Sequence, residues 1–314
     1  MKTKTRRLLQ PIWNAFDVLF PPEGLLLCVS GGSDSRALME AVAHWPHRVQ
    51  NIHIVSVDHA TRPETKREAE AVCARAKILG FESHLLSLYP VIKKDEASLR
   101  AGRYGLIWQL ARDLGIRAIA TAHTQDDQAE SFIMDMMGHG GGTEGSAMPA
   151  VSERPEGLLL RPLLEFTRAY LIAVLSELGQ EDYFTDPTNQ QSLGSRVQVR
   201  DFLKLHPTPQ TRLAGLAQKR KSDLDALKAW ACDLIEVYSA GQVLVKFTPE
   251  IPEAVLLQAF KKALSSLLPD QDLRSAHKTL ELMAKQKKGS FDLPGCVAEI
   301  RDSAVLLRTA RSII

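Results

Sequence analysis

The chain has 314 residues, of which 45% are hydrophobic and 24% charged, and its formal net charge is +2. This composition indicates an ordinary globular protein of about two domains and argues against intrinsic disorder. The four cysteines form no CxxC pair, which argues against a zinc ribbon, a dithiol redox centre and a closely spaced iron–sulfur framework, and favours a reducing cytoplasmic location. No apolar signal core and no stretch of membrane-spanning length is present, so we expect no membrane association.

Short apolar runs alternate with helical periodicity through the N-terminal part of the chain. The pattern predicts strands at residues 25–29, 52–57, 84–88, 118–122 and 158–160. It predicts helices at residues 35–43, 64–79, 97–114, 125–137 and 167–178. Because strands that alternate with helices pair in parallel and are covered on both faces, we expect an α/β domain with a parallel, Rossmann-like sheet.

The pattern changes beyond about residue 205, where a His-Pro-Thr-Pro segment interrupts the chain at residues 206–209. One long helix is predicted at 210–239, followed by a strand at 243–247, helices at 253–267 and 271–285, and strands at 290–293, 297–301 and 304–308. We therefore expect a first domain over residues 1–209 and a smaller α+β domain over residues 210–314. Basic residues outnumber acidic ones in the second domain, which indicates either a polyanionic partner or an ordinary solvated surface.

The clearest motif lies where the first predicted strand passes into the first predicted helix, and it consists of Ser30, Gly31, Gly32, Ser33, Asp34 and Ser35. The glycines let the backbone bring bare amides toward a ligand, and the following helix N-terminus favours an anion. The motif is neither a Walker loop nor a GxGxxG fingerprint. A carboxylate at an anion site predicts that Asp34 holds Mg²⁺ against phosphates, and helix capping by Asp34 is the alternative.

A second polar group follows the predicted strand at 118–122. His123 ends this strand, and Asp126, Asp127 and Glu130 occupy the first turns of the next predicted helix at i,i+3 and i,i+4 spacing. Ligands of open α/β sheets bind at the carboxyl ends of the strands, so these acids predict metal binding or capture of a cationic substrate. The alternative is that they complement the helix dipole on a solvated face.

The order of these motifs resembles that of the N-type ATP pyrophosphatases and, within them, the tRNA(Ile)-lysidine synthetase family. The SGGSDS segment is similar to the pyrophosphate-binding loop of that family, and VDHATR at 57–62 is similar to its VDHGLR segment. ASLRAGRY at 97–104 is similar to its AR-x-x-RY helix start, and TAHTQDDQAES at 121–131 to its TAHHxDDQAET segment. RPLL at 161–164 and DPTN at 186–189 complete a resemblance that covers about residues 22–205.

The chain departs from the family pattern at several positions. Thr124 replaces the usual second histidine, Ser131 replaces a threonine, and Val197 replaces an asparagine. The segment at 138–148 lacks the Arg-Gly start of the family's RGxG loop. These departures bear on loop contacts with RNA more than on ATP chemistry, because the loop glycines and the carboxylates are intact.

The resemblance implies a PP-loop ATPase fold that uses ATP as co-substrate together with Mg²⁺. The nucleotide-binding residues that it implies are Ser30, Gly31, Gly32, Ser33, Asp34, Ser35, Asp58, His59 and His123. The catalytic residues that it implies are Asp34, Asp127, Glu130 and Arg161, with Asp34 and Asp126 as metal ligands. Contacts with RNA or the other substrate are implied for Arg62, Arg100, Arg103, Asp126, Arg196 and Arg200.

The resemblance also implies a reaction that ligates free L-lysine to carbon 2 of the wobble cytidine in tRNA(Ile) with a CAU anticodon. The products would be lysidine, AMP and pyrophosphate, formed through an adenylated cytidine. Two alternatives stay open at this point: another PP-loop tRNA-modifying enzyme such as a thiolase, and a non-catalytic relative that binds a nucleotide or RNA. The sequence does not determine the oligomeric state and leaves a homodimer open.

Overall fold

The computed structural model describes residues 3–58, 63–88, 96–138, 145–184, 195–205, 210–239, 241–268, 274–285 and 288–309. The chain divides into two compact units, Met1–Gln218 and Lys219–Ile314. The division falls inside the helix Gln210–Asp233, a short distance beyond the boundary expected from the sequence. Within the described ranges, no helix is both long enough and apolar enough to span a lipid bilayer.

A six-stranded, mostly parallel sheet forms the centre of the first unit. Its strands are β1 (Leu25–Cys28), β2 (Ile52–Asp58), β3 (Glu82–Ser87), β4 (Ala118–Ala120), β5 (Val151–Arg154) and β6 (Gly157–Leu160). They follow the order β3-β2-β1-β4-β6-β5, and every pair is parallel except the β5–β6 hairpin. The predicted parallel sheet is therefore confirmed. Strand β5 was not predicted, because its mostly exposed sequence has no buried apolar side to mark it.

Helices cover both faces of this sheet, as predicted. The described helices of the unit are α1 (Thr3–Leu19), α2 (Ser33–Ala43), α3 (Pro63–Ile78), α4 (Glu96–Asp113), α5 (Gln125–Met136), α6 (Arg168–Glu177) and α7 (Ser195–Leu205). Successive side chains of a strand point to opposite faces. Leu25 and Leu27 accordingly pack into the core formed with α1, α2, α3 and α6, whereas Leu26 packs against α4 on the other face.

Helix α1 was not predicted from the sequence, because Pro11 lies inside it. Its buried apolar side chains recur at helical spacing and are Leu9, Ile12, Trp13 and Phe16. The Trp13 indole also donates a hydrogen bond to the Ala41 carbonyl of α2 at 2.9 Å. Packing of this apolar stripe offsets the hydrogen bond that a proline removes from a helix.

The second unit has a five-stranded antiparallel sheet, so the expected α+β architecture is confirmed. Its strands are β7 (Ile235–Ser239), β8 (Gln242–Lys246), β9 (Gly289–Leu293), β10 (Cys296–Ile300) and β11 (Ala304–Thr309), in the order β7-β8-β11-β10-β9. Helices α9 (Glu253–Leu267) and α10 (Arg274–Ala284) contribute Phe260 and Ala276 to a core shared with Val243 and Val305 of the sheet.

The prediction of one helix over residues 210–239 was wrong. Helix α8 (Gln210–Asp233) ends before β7, which pairs with β8 through Ile235 opposite Val245 and Val237 opposite Val243. Ile235 and Val237 flank a polar Glu236, an alternation with the period of a strand. Ladder hydrogen bonds to β8 supply backbone partners that only the tertiary structure brings within reach.

Candidate active site

The predicted functional loops meet at the carboxyl ends of β1 and β4. These two parallel strands are neighbours, yet β1 pairs on its other side with β2 and β4 pairs on its other side with β6. Such a position is a topological switch point, where open α/β sheets form a ligand-binding crevice. A cavity of about 620 Å³ lies there within the first unit, and its lining includes Ser30, Asp34, His123, Arg168 and Arg200.

The loop between β1 and α2 is organised by the hydroxyl of Ser35. This oxygen accepts hydrogen bonds from the backbone amides of Ser30 and Gly31 at 3.2 and 3.1 Å and donates one to the Gly32 carbonyl at 3.0 Å. Gly31 has a φ of +90°, and a Cβ atom there would approach the Phe184 ring to 2.8 Å. Both the backbone conformation and the close approach therefore require glycine at position 31.

The N-terminus of α2 faces this cavity without a side-chain cap. Its N-cap residue is Gly32, which makes no capping hydrogen bond, and Ser33 and Asp34 of the first turn line the cavity. The first-turn amides of a helix lack partners within the helix, and the helix dipole makes that end positive. The geometry is that of an anion-binding helix N-terminus, as the sequence predicts.

Asp34 pairs with an arginine that the sequence analysis did not single out. Nε of Arg168 lies 3.0 Å from Oδ2 of Asp34, and Nη2 lies 3.9 Å from Oδ1 of Asp127. The backbone amide of Arg168 donates to Oδ2 of Asp126 at 2.7 Å. Arg168 is the first residue of α6, where a positive side chain opposes the helix dipole, and this unfavourable placement was the available signal.

Asp127 uses its two carboxylate oxygens in different ways. Oδ2 accepts the backbone amide of Thr124 at 2.8 Å and its hydroxyl at 3.0 Å, which completes a capping box at the start of α5. Oδ1 faces the Arg168 guanidinium. The departure from the family pattern at Thr124 thus supplies the N-cap of the helix that carries the acidic cluster.

Glu130 and Arg200 join α5 to α7 beside the cavity. Nε of Arg200 donates to Oε1 of the buried Glu130 at 2.8 Å. The second carboxylate oxygen, Oε2, is buried and has no hydrogen-bond partner among the residues that the structure describes. Helix α7 was not predicted as an element, and its backbone also carries Arg196, whose side chain lies outside the described residues.

Burial and the repulsion between neighbouring carboxylates raise the pKa values of two acids at this site. Burial raises the pKa of Asp34 above its usual range against the opposing effect of Arg168, and Asp127 adds to the rise. Burial likewise raises the pKa of Glu130 against the effect of Arg200. Burial alone would lower the pKa of Arg168, but the surrounding carboxylates raise it, so this guanidinium stays charged. The cluster is therefore suited to a cationic ligand.

Comparisons with known proteins agree with these features. Residues 1–206 match the ATP-binding family described as the PP-loop domain. The tRNA(Ile)-lysidine synthase of Methylobacterium sp. (strain 4-46) is 36% identical over 258 residues, which cover 78% of this chain and 74% of that protein. The tRNA(Ile)-lysidine synthase of Zymomonas mobilis subsp. mobilis is 31% identical over 296 residues, which cover 88% of each chain. The chain belongs to the tRNA(Ile)-lysidine synthase family.

A solved structure shares the fold of this lysidine synthase family member. The U34-tRNA thiolase NcsA from Methanococcus maripaludis superposes with a TM-score of 0.55 at 16% identity, over 67% of this chain and 77% of that chain. At this identity the likeness shows the fold alone. In the present chain, burial raises the pKa of the cavity-lining Cys28 thiol to about 12, so this sulfur is not a ready thiolate nucleophile.

The residues present in the family member fit a magnesium ion bound together with phosphates. Among the described residues, no group of three or more His, Cys, Asp or Glu side chains forms a metal-binding cluster. Mg²⁺ is usually held by one or two carboxylates and takes its other ligands from water and substrate phosphates. Asp34 and Asp127 both lie within 4 Å of the same guanidinium and supply hard oxygen donors, whereas Asp126 is engaged with the Arg168 backbone.

Of the other residues implied for nucleotide binding and catalysis, some line the cavity and others do not. His123 lines it, with Nδ1 at 2.8 Å from the Thr121 hydroxyl oxygen. Asp58 is buried at the end of β2 and accepts a hydrogen bond from the Thr65 hydroxyl. Arg161 is not part of the cavity lining and donates to the Pro149 carbonyl and the Ser152 hydroxyl, both at 2.8 Å.

Only some of the residues implied for RNA contact lie within the described parts of the chain. Arg100 and Arg103 flank Tyr104, with their guanidinium carbons 5.9 and 5.6 Å from the ring centroid. Arg103 and Tyr104 line the cavity, and Arg100 is exposed. His59 and Arg62, together with the DPTN segment at 186–189, lie outside the described residues.

Proposed function

We propose that this protein ligates L-lysine to carbon 2 of the wobble cytidine in tRNA(Ile) with a CAU anticodon. The observation that carries the proposal is a cavity that the PP-loop lines in a lysidine synthase family member, with an acidic cluster bound to two arginines of the same lining, Arg168 and Arg200. The PP-loop suits a polyphosphate, and the acidic cluster suits a cationic amine. ATP, lysine and tRNA are the three substrates.

The first step adenylates the cytidine. The oxygen at carbon 2 attacks the α-phosphorus, the bond to the β-phosphate oxygen breaks, and pyrophosphate leaves. The first-turn amides of α2 bind the leaving pyrophosphate, because they have no partner within the helix and the helix dipole makes this end positive. Mg²⁺, when bound, supplies further positive charge at the phosphates, and Asp34 with Asp127 would hold it. Arg161 contributes to the structure around β5 and β6 rather than to this chemistry.

The second step transfers lysine. The ε-amine of lysine attacks carbon 2, and AMP leaves with the oxygen that was adenylated. Glu130 binds and orients the amino acid through Oε2, a buried acceptor to which no described residue donates, and Asp127 adds negative charge beside it. A carboxylate in this position also receives the proton that the amine must lose.

The decisive experiment is nucleoside analysis of CAU-anticodon tRNA(Ile) after incubation with pure protein, ATP, Mg²⁺ and lysine. We expect lysidine to appear with equimolar AMP and pyrophosphate, and omission of lysine, ATP or tRNA should each abolish it. A tRNA(Ile) with a different wobble base is the control substrate and should stay unmodified. Release of ADP and phosphate, or no change in the nucleoside, would overturn the proposal.

We propose in addition that both units contact the tRNA. Arg100 and Arg103 lie one helical turn apart beside the cavity and suit phosphate contacts near the anticodon. In the second unit, Lys219, Arg220 and Lys221 are three consecutive basic residues, although Lys221 also pairs with Asp225. Phosphate contacts position an RNA without reading its sequence, and they weaken steeply with salt.

Charge reversal at Lys219, Arg220 and Lys221 tests the contribution of the second unit. We expect the triple variant to bind tRNA more weakly than the wild type and with a flatter salt dependence, while ATP binding by the first unit is unchanged. tRNA titrations at two salt concentrations provide the measurement. Equal affinity and equal slope in the two proteins would remove these three residues from the interface.

A further inference from the structure

Arg168 occupies an unusual place between the two halves of the site. It lines the cavity together with the PP-loop, and its guanidinium lies between Asp34 of α2 and Asp127 of α5. Asp126 fixes its backbone amide, and the Thr167 hydroxyl accepts the Tyr170 amide at 3.1 Å, so the start of α6 is held rigidly. The side chain is still 35% exposed, which leaves it accessible to a ligand in the cavity.

The position of this arginine is not explained by helix stability. A positive charge in the first turn opposes the macrodipole of α6, and the capping of α6 depends on Thr167 and Asp126 instead. Carboxylates that are distant in the sequence but adjacent in the fold therefore determine where the guanidinium lies. The pair with Asp34 joins residues 134 positions apart in the chain, and it brings α6 to the PP-loop.

The partners of Arg168 are also the carboxylates that suit Mg²⁺. A guanidinium and a metal ion that share the carboxylates of Asp34 and Asp127 repel each other, so each cation is bound less strongly when the other is present. When a magnesium-bound polyphosphate enters, Arg168 loses part of its carboxylate contact while phosphate oxygens become available nearby. Guanidinium groups bind phosphates through paired N–H donors, which makes that exchange favourable.

We propose that Arg168 binds the pyrophosphate portion of the nucleotide, and that Asp34 and Asp127 hold its guanidinium in place until the nucleotide enters. This assignment rests on the proposed function, since it presumes a polyphosphate in the cavity. Arg168 is then a substrate-contacting residue that neutralises charge on the leaving group. In the nucleotide-free protein it serves as an internal cation for the metal-binding carboxylates.

The proposal predicts opposite effects on two ligands when Arg168 is replaced. The R168Q variant loses a charged phosphate contact, so inorganic pyrophosphate should bind about tenfold or more weakly. Its Asp34 and Asp127 carboxylates also lose their internal cation, so Mn²⁺ alone should bind more tightly than in the wild type. If Arg168 had a purely structural role, R168Q would bind both pyrophosphate and Mn²⁺ more weakly, or would bind both as the wild type does.

Calorimetric titration with inorganic pyrophosphate and electron paramagnetic resonance titration with Mn²⁺ measure the two effects on the full chain. R168K should lie between the wild type and R168Q, because lysine keeps the charge but not the paired donors. R112Q, at an exposed arginine in the last turn of α4, is the matched control and should behave as the wild type.

The outcomes separate this assignment from the proposed function. If the wild type binds pyrophosphate and R168Q binds it equally well, Arg168 is not a phosphate ligand and the proposal is overturned. If R168Q does not fold, R168K carries the same test, and unchanged pyrophosphate affinity in R168K overturns it. If the wild type binds neither ATP nor pyrophosphate, the proposed function fails together with this assignment.

Discussion

The helix α2 carries an acid–arginine network at each end, and the two networks differ in how completely the acids are satisfied. At its N-terminus, Asp34, Asp127 and Glu130 share the charges of Arg168 and Arg200, and one Glu130 oxygen has no partner within the described part of the chain. Further along, a single acid, Glu40, is bound by two arginines. Asp34, Arg168 and Arg200 of the first network line the cavity. In the second network, both oxygens of Glu40 already accept hydrogen bonds from arginines.

The network around Glu40 saturates both oxygens of a fully buried carboxylate. Oε1 accepts from Nε of Arg36 at 3.0 Å and from Nε of Arg75 at 2.7 Å, and Oε2 accepts from Nη2 of Arg75 at 2.9 Å. Arg36 also donates to Gln180 and Asp182, and so joins α2 to the segment that follows α6. The hydrogen bond to Glu40 raises the pKa of Arg75 above its usual value, against the smaller opposing effect of burial.

The difference indicates a division of roles along one helix. A saturated buried ion pair has no capacity left for a ligand, and its loss exposes uncompensated charge in the interior. An acid-rich cluster beside a cavity stores unfavourable electrostatic energy that a cationic ligand can relieve. We therefore expect substitutions at the N-terminal network to change activity and substitutions at the Glu40 network to change stability.

The largest effect is expected for D34N. Asp34 is the proposed ligand of Mg²⁺ and the ion-pair partner of Arg168, so formation of AMP in the presence of tRNA and lysine should fall about a thousandfold or more in this variant. The D113N variant at the end of α4 is the control and should retain turnover. A D34N protein that is folded and still forms AMP at the wild-type rate would contradict the assignment of the site.

E40Q should have the second largest effect, and on stability rather than chemistry. Removal of the buried charge leaves the interior ends of Arg36 and Arg75 facing a neutral amide, and Arg36 keeps only its pair with the exposed Asp182. We expect the free energy of unfolding to fall by about 3 kcal/mol. E70Q removes an exposed partner of Lys66 at 4.0 Å and should cost less than about 0.5 kcal/mol. Denaturant titration of both variants gives the comparison, and equal values would show that the Glu40 network is not a stability element.

E130Q should change the lysine requirement. An amide at this position no longer attracts an ammonium group, so the lysine concentration for half-maximal rate should rise about tenfold while ATP binding persists. Lysine titrations at saturating ATP and tRNA provide the measurement, with E70Q again as control. If ATP binding were lost and the lysine dependence unchanged, Glu130 would belong to the nucleotide site instead.

Replacement of Asp17, which pairs with His47 at the surface, should have the smallest effect. It provides a reference for the two networks of α2. Oδ1 of Asp17 lies 2.8 Å from Nδ1 of His47 and accepts from the Trp45 indole at 3.0 Å. The hydrogen bond from His47 lowers the pKa of Asp17 below its usual 3.8. The pair is solvent-screened, so D17N should cost less than about 1 kcal/mol.

The pH dependence of that cost has a defined sign. A carboxyl whose pKa is lower in the folded state stabilises the fold above the unfolded-state pKa, and this contribution is lost as the pH falls through the lower folded-state value. The difference in melting temperature between wild type and D17N should therefore be present at pH 6 and disappear as the pH falls well below 3.8. A difference that grew toward acid pH would show that the carboxylate is not the stabilising form.

The sequence alone determined the parts of this protein that depend on neighbours in the chain. Short apolar runs and helical spacing predicted the alternation of strands and helices in the first unit. The glycines of the PP-loop and the spacing of Asp126, Asp127 and Glu130 predicted an anion site and an acidic cluster at the carboxyl edge of the sheet. Each of these signals is local, because a loop conformation or one helix face is specified within about ten residues.

The tertiary structure decided which distant groups meet, and no local pattern contains that information. Arg168 reaches Asp34 across 134 positions and Arg200 reaches Glu130 across 70, because the strand order places α6 and α7 beside the ends of β1 and β4. The end of α8 and the start of β7 were likewise decided by pairing with β8. Contacts of this kind gain energy only after the chain has folded back on itself, so local propensity predicts the elements but not their partners.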